Sequence, residues 1–213
     1  MAREKQFSEA AVLDEVADLF SAHGYQGTSL AMLLDATGLG KQSLYNCFGD
    51  KRELYLKSVD CSAQRYQAVH AQMSAAASGR AAVACFFDHV VGKCDSAEAA
   101  ERSCIVAAGL LEAVDDALIV QTLRAKWAAS HEVLRAAVER GQKDGSVRNP
   151  APSAALADLL LALVAGLRVN ARAAFGAARQ RRTVELALAV LDSGCPTSGA
   201  WQRAKARFSS IHF

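Results

Sequence analysis

Three prolines in 213 residues leave little to interrupt long helices, so their scarcity favours a helical chain. Long apolar runs are also missing. The longest stretch, residues 156–169, is broken by Asp158 and ends at Arg168, short of the roughly 18 uninterrupted apolar residues of a membrane span. Residues 1–6 are charged and lead directly into an amphipathic segment, so neither a signal peptide nor a membrane is expected and the reading is cytoplasmic. Cys47, Cys61, Cys85, Cys94, Cys104 and Cys195 contain no Cys-x-x-Cys pair, so free thiols are expected and no metal site. There is no Gly-rich phosphate loop, no Gly-x-Ser-x-Gly elbow and no His-Glu-x-x-His. Asp115-Asp116 reads as a helix start rather than a catalytic pair, so no catalytic residue and no cofactor are assigned.

Excess charge of one sign is lacking as well. The net charge is +2, and residues 1–57 carry six Lys/Arg against eight Asp/Glu. Five of those acids precede residue 20, whereas Lys41, Lys51 and Arg52 cluster. Any contact with nucleic acid must therefore be local.

What is present is helical periodicity in a chain that is 52% apolar and 22% charged, enough for one large or two small domains. Between Ser8 and His23, Val12, Leu13, Val16, Leu19 and Phe20 share one face, and Gly24 ends the pattern. Thr28 is the expected N-cap of a second helix with Leu30, Leu33 and Leu34 inward and Gly38 at its end. Asp50 and Glu53 have the spacing of a capping box, opening a helix to about Ala77. Further helices are expected over 81–91 and 115–140, with a short apolar segment at 104–111 between them, and, after Asn149-Pro150-Ala151-Pro152, over two apolar stripes. Those stripes are Leu156, Leu159, Leu160, Leu163, Val164 and Leu167, then Val184, Leu188 and Leu191; their breadth suggests a self-association surface, although covering the core is the competing use. No repeat and no period-2 strand is discernible.

Between the second and fourth helices, residues 38–51 form a turn and a short helix. Leu44 and Phe48 share one side, while Lys41, Gln42, Ser43, Tyr45 and Asn46 occupy the others. Gln42 and Asn46 are suited to bidentate bonds with adenine, and Lys41 to guanine or phosphate. Thr28, Ser43, Tyr45 and Lys51 suit phosphate oxygens, with Thr28 and Ser29 opening the supporting helix. The same spacing also fits a solvated short helix between two others.

Residues 12–54, with Phe20, Gly24, Thr28-Ser29, Gly38, Ser43-Leu44-Tyr45, Phe48, Lys51 and Leu54 in order, resemble the N-terminal domain of the TetR family of transcriptional regulators. The resemblance implies an all-α homodimer. Its N-terminal helix-turn-helix domain (1–57) would bind a double-stranded DNA operator. A larger helical domain (58–192) would hold a small-molecule effector and the dimer contacts, followed by a tail (193–213). Gly40 stands where a serine cap is common in that family, and Cys47 where histidine is common.

In the second domain, Phe86, His89, Cys104, Leu111, Trp127, His131 and Phe175 are the candidate ligand-binding residues, because an apolar cavity with a few polar groups is the usual design. Arg102-Ser103-Cys104 with Ala107-Ala108 and Glu112 is similar to a Gly-Cys-containing segment of one subgroup of the family. A repressor released by an effector is the expected function. Alternatives are a thiol-responsive regulator acting through Cys47, a ligand-binding protein without DNA activity, and a helical adaptor.

Overall fold

Each predicted helix has its own start signal, and most of these operate as the residue types dictate. The computed structural model describes residues 8–92, 104–112 and 114–193. The segment containing Arg102 and Ser103, together with Cys94, Cys195 and the tail from 194, lies outside them. Among the described residues the fold is all-α: α1 (Glu9–Gly27), α2 (Leu30–Thr37), α3 (Lys41–Phe48), α4 (Lys51–Ala75), α5 (Gly79–Gly92), α6 (Ile105–Leu111), α7 (Ala117–Asp144), α8 (Ser153–Arg172) and α9 (Ala177–Leu188), with a 3-10 turn at Ala189–Leu191.

Gly24 kinks α1 rather than ending it. Its φ of 77° lies in the left-handed region, and the helix resumes as far as Gly27. The following cap is Ser29, not Thr28: the Ser29 hydroxyl accepts from the Met32 amide at 3.2 Å, whereas Thr28 is fully buried and donates to the Gly24 carbonyl at 2.7 Å. Thr28 thus ties the kink, which removes its hydroxyl from the expected cap and phosphate contact. At α4 the capping box is reciprocal, with the Glu53 amide donating to Asp50 at 2.9 Å and the Asp50 amide to Glu53 at 3.0 Å.

Two apolar cores hold these helices. One joins Val12, Val16, Phe20, Leu33, Leu44 and Phe48 to Leu54, Tyr55 and Val59 of α4 and, from far along the chain, to Ile105, Val106, Ile119 and Leu123. The other packs the C-terminal half of α4 with α5, α7, α8 and α9. Trp127 touches both. Each fully buried leucine or phenylalanine contributes about 1.5–3 kcal/mol.

The second core corrects the expected dimer surface. Leu156, Leu160, Val164, Leu167, Val184, Leu188 and Leu191 are buried within this chain, and Leu163 packs partly against them. The apolar side chains of α8 and α9 that stay outside are Leu159, Val169 and Leu186, at 50%, 55% and 68% exposure. A broad stripe has two edges, and only packing decides which one is covered. Its length and composition would also let α8 cross a bilayer, which the interrupted apolar run conceals; here Leu156, Ala157, Leu160 and Leu161 face the core.

At Gly79 the start of α5 approaches α7 closely, and a Cβ there would collide with the Gly141 backbone and the Ala137 carbonyl. Gly79→Ala is expected to cost about 1–3 kcal/mol, lowering Tm by roughly 2–4 °C per kcal/mol, as read by differential scanning calorimetry; an unchanged Tm would show that α5 has room to shift.

Candidate nucleic-acid interface and cavity

A helix of eight residues cannot persist alone, so α3 depends on Leu44 and Phe48, exposed by only 0% and 1%. Gly38, with φ at 62°, makes the turn from α2. Docking by one face leaves Lys41, Gln42, Ser43 and Asn46 exposed, with Tyr45 half-buried. Gln42 donates from Nε2 to Asn46 Oδ1 at 2.8 Å, so the two amides are held together while keeping further donor and acceptor capacity for base edges. Lys41 Nζ lies 5.9 Å from the Tyr45 ring centre. Gly40 begins α3 without a side-chain cap, and Cys47 is half-buried against the core beside Leu44 and Phe48.

Other bases of the region are engaged elsewhere. Arg52 pairs with Asp116 at 2.6 Å, and Lys57 donates to the Phe48 carbonyl at 3.1 Å. Lys51 sits 4.9 Å from the Tyr25 ring centre, and burial pushes its pKa down, partly offset by Glu112. It is therefore half-buried at the root of the helical unit.

Behind that root lies a contact that residue patterns did not reveal. Glu112, at the C-terminal end of α6, accepts hydrogen bonds from the backbone amides of Tyr25 and Gln26, both at 2.7 Å. These amides follow the Gly24 kink, and a Cβ on Gly24 would stand 2.8 Å from the Glu112 carboxylate. The only hint in the sequence was that Glu112 belongs to a segment similar to one of known regulators.

Cys104 and Val106, near the other end of α6, line a cavity of about 90 Å³ closed by Ser62, Ala63, Tyr66, His70, Phe86 and Trp127. The structure thus gathers Phe86, Cys104 and Trp127 of the expected ligand set. His89 makes an edge contact with Tyr66 at 5.3 Å, behind the wall. His131 pairs with Asp158 at 3.1 Å in a shallow outer cleft. Leu111 is 77% exposed, because a seven-residue helix must turn one end out. Phe175 stacks under Arg179 at 3.7 Å in the turn between α8 and α9. Ser62, Tyr66 and His70 escaped notice because the polar sequence of α4 disguises its inner face. Val164, expected at a dimer surface, is a cavity wall.

The family model described as "Bacterial regulatory proteins, tetR family" matches residues 12–57. The HTH-type transcriptional regulator YezE of Bacillus subtilis is 30% identical over 151 residues, 68% of this chain and 77% of that protein. The HTH-type transcriptional repressor ComR of Escherichia coli is 29% identical over 173 residues, covering 80% of this chain and 82% of its own. Among solved structures, a cysteine-substituted form of the TetR family transcriptional regulator CifR complexed with double-strand operator DNA superposes with a TM-score of 0.77 at 28% identity, covering 87% of this chain and 98% of that one.

Lys41→Ala should weaken binding to every duplex and lower the slope of log affinity against log salt by about one, whereas Gln42→Ala should cost about 1–3 kcal/mol only at the base pair it reads. Mobility-shift titrations at several salt concentrations, on duplexes selected from a random pool, separate the two; identical losses from both substitutions would show that Gln42 does not read a base.

Proposed function

Because the chain belongs to the TetR family of DNA-binding transcriptional regulators, we propose that it is a cytoplasmic homodimeric repressor that releases its operator when a small molecule occupies the cavity behind α6. The observation that carries this reading is the span of α6. Cys104 and Val106 line the cavity near one end, and Glu112 holds the Tyr25 and Gln26 amides at the other. A seven-residue helix is about 10 Å long and moves as one body. A ligand that displaces its cavity end shifts the two bonds just before Ser29, the cap of α2. The Arg52–Asp116 pair adds a second tie, between the start of α4 and the start of α7.

Two copies are required because one eight-residue helix reads only a half-site. Recognition helices about 34–36 Å apart would enter the same face of a palindromic operator. The surface suited to this pairing is the outer side of α8 and α9, where Leu159, Val169 and Leu186 are exposed and Ala155, Ala162 and Gly166 allow close approach. An effector then needs differential affinity of only about 1–3 kcal/mol for the two arrangements.

Glu112→Ala is expected to reduce operator affinity roughly 5- to 150-fold without any effector, the range of a 1–3 kcal/mol coupling, while far-UV circular dichroism stays unchanged. Full affinity in the variant would remove α6 as the connection. Leu186→Arg should give a monomer in sedimentation velocity and lose the operator shift with it, and a persistent dimer would place the interface elsewhere.

A further inference from the structure

The kink in α1 is gripped from two sides by helices that lie far along the chain. In an unbroken helix the amide of Gln26 would donate to the carbonyl of Ala22, four residues before it. Gly24, with φ at 77° and ψ at 171°, stands between them, and both groups turn to side chains of other helices. The Gln26 amide donates to Oε1 of Glu112 at 2.7 Å, beside the Tyr25 amide on Oε2. The Ala22 carbonyl accepts from Nη2 of Arg172, the last residue of α8, at 2.7 Å. Each half of the broken turn thus has a charged partner of the sign it needs, a carboxylate for the amide and a guanidinium for the carbonyl. Charge-assisted bonds of this kind are shorter and stronger than neutral ones.

Arg172 connects the kink to a different part of the molecule from Glu112. Val169, exposed on the outer side of α8, precedes Arg172 by less than one helical turn. That last turn is closed by two further bonds: the Ala174 amide donates to the Ala171 carbonyl at 3.0 Å and the Phe175 amide to the Asn170 carbonyl at 2.9 Å. Ala174, at φ 58°, takes the left-handed conformation that such a helix end requires. Val169 and Arg172 therefore move together, and whatever fixes the outer face of α8 also fixes the Ala22 carbonyl. From Ala22 the chain runs through the kink to Ser29, the cap of α2. Arg172 is itself exposed, so water can replace its bond at little cost in stability. What its loss removes is a direction.

We propose that Arg172 is a positioning residue for operator recognition: through the Ala22 carbonyl it ties the last turn of α8 to the kink of α1, and so fixes the separation of half-sites that a dimer joined along α8 accepts. This inference rests on the dimeric reading above and needs no effector. One base pair added between half-sites moves them apart by about 3.4 Å and turns one against the other by roughly a tenth of a helical turn. Reading helices held at a fixed angle to the dimer seam cannot follow that change, whereas helices behind a loosened kink can.

The test uses duplexes that the wild-type full chain selects from a random pool, together with versions carrying one base pair more or one fewer at the centre. Mobility-shift titrations at several salt concentrations compare wild type, Arg172→Ala and Arg172→Lys. Wild type should prefer the selected spacing. Arg172→Ala should bind the selected duplex roughly 5- to 150-fold more weakly, the range of a coupling between sites, lose less than wild type at the altered spacings, and keep the wild-type slope of log affinity against log salt. Arg172→Lys, which retains a cationic donor, should recover part of the spacing preference. Merely structural damage would lower affinity equally at every spacing, and a direct phosphate contact would lower the salt slope by about one for each protomer; either result overturns the proposal. A wild-type spacing preference that Arg172→Ala keeps defeats this inference alone. A wild-type protein indifferent to spacing defeats the dimeric reading and this inference with it.

Discussion

Helix α3 exists only because its apolar side is buried, and the core that buries it is not its own. Leu44 and Phe48 belong to the same packed cluster as Ile105 and Val106 of α6 and Ile119 and Leu123 of α7. Without that cluster, eight residues could not hold a helix in water, and the polar side of α3 would have no fixed direction. The first three helices and the helices that follow are therefore parts of one packed body along this seam. A displacement of α6 cannot be absorbed by a flexible linker, because α6 is itself one wall of the core.

The polar contacts at the seam are fewer and more directional than the apolar ones. Glu112 contributes two charge-assisted hydrogen bonds to backbone amides just beyond a glycine kink. Thr28 ties the same kink from the other side by donating to the Gly24 carbonyl. Apolar packing holds the two parts together, while these bonds set the angle between them. Carboxylate and amides are far apart in the chain, so the contact forms only after both helices have docked.

Helix α8 serves three surroundings at once. Leu156, Leu160 and Leu167 fill the core, Leu161 and Val164 reach the cavity, and Leu159 and Val169 remain outside. Arg168 is placed among these apolar positions, and no Asp or Glu is buried among the described residues. In a single helix such a residue resembles the charged end of an apolar run. In the folded chain it is buried, and its Nε and Nη2 have no hydrogen-bond partner.

Local chemistry determined much of this protein from its sequence. The capping box at Asp50 and Glu53, the turn at Gly38 and the four-residue spacing of Leu44 and Phe48 act within one or two turns of chain, so the all-α class and the exposed side of α3 were legible there. Tertiary structure decided everything that depends on which of two faces is covered. It turned Leu160 and Leu188 inward and Leu159 and Leu186 outward, exposed Leu111, gave Thr28 to Gly24 instead of to a helix cap, and set Arg168 beside Tyr66. Periodicity specifies that a helix has an apolar stripe. It does not specify the neighbour against which that stripe packs, because the free energy of burial depends on area removed from water and carries no direction of its own.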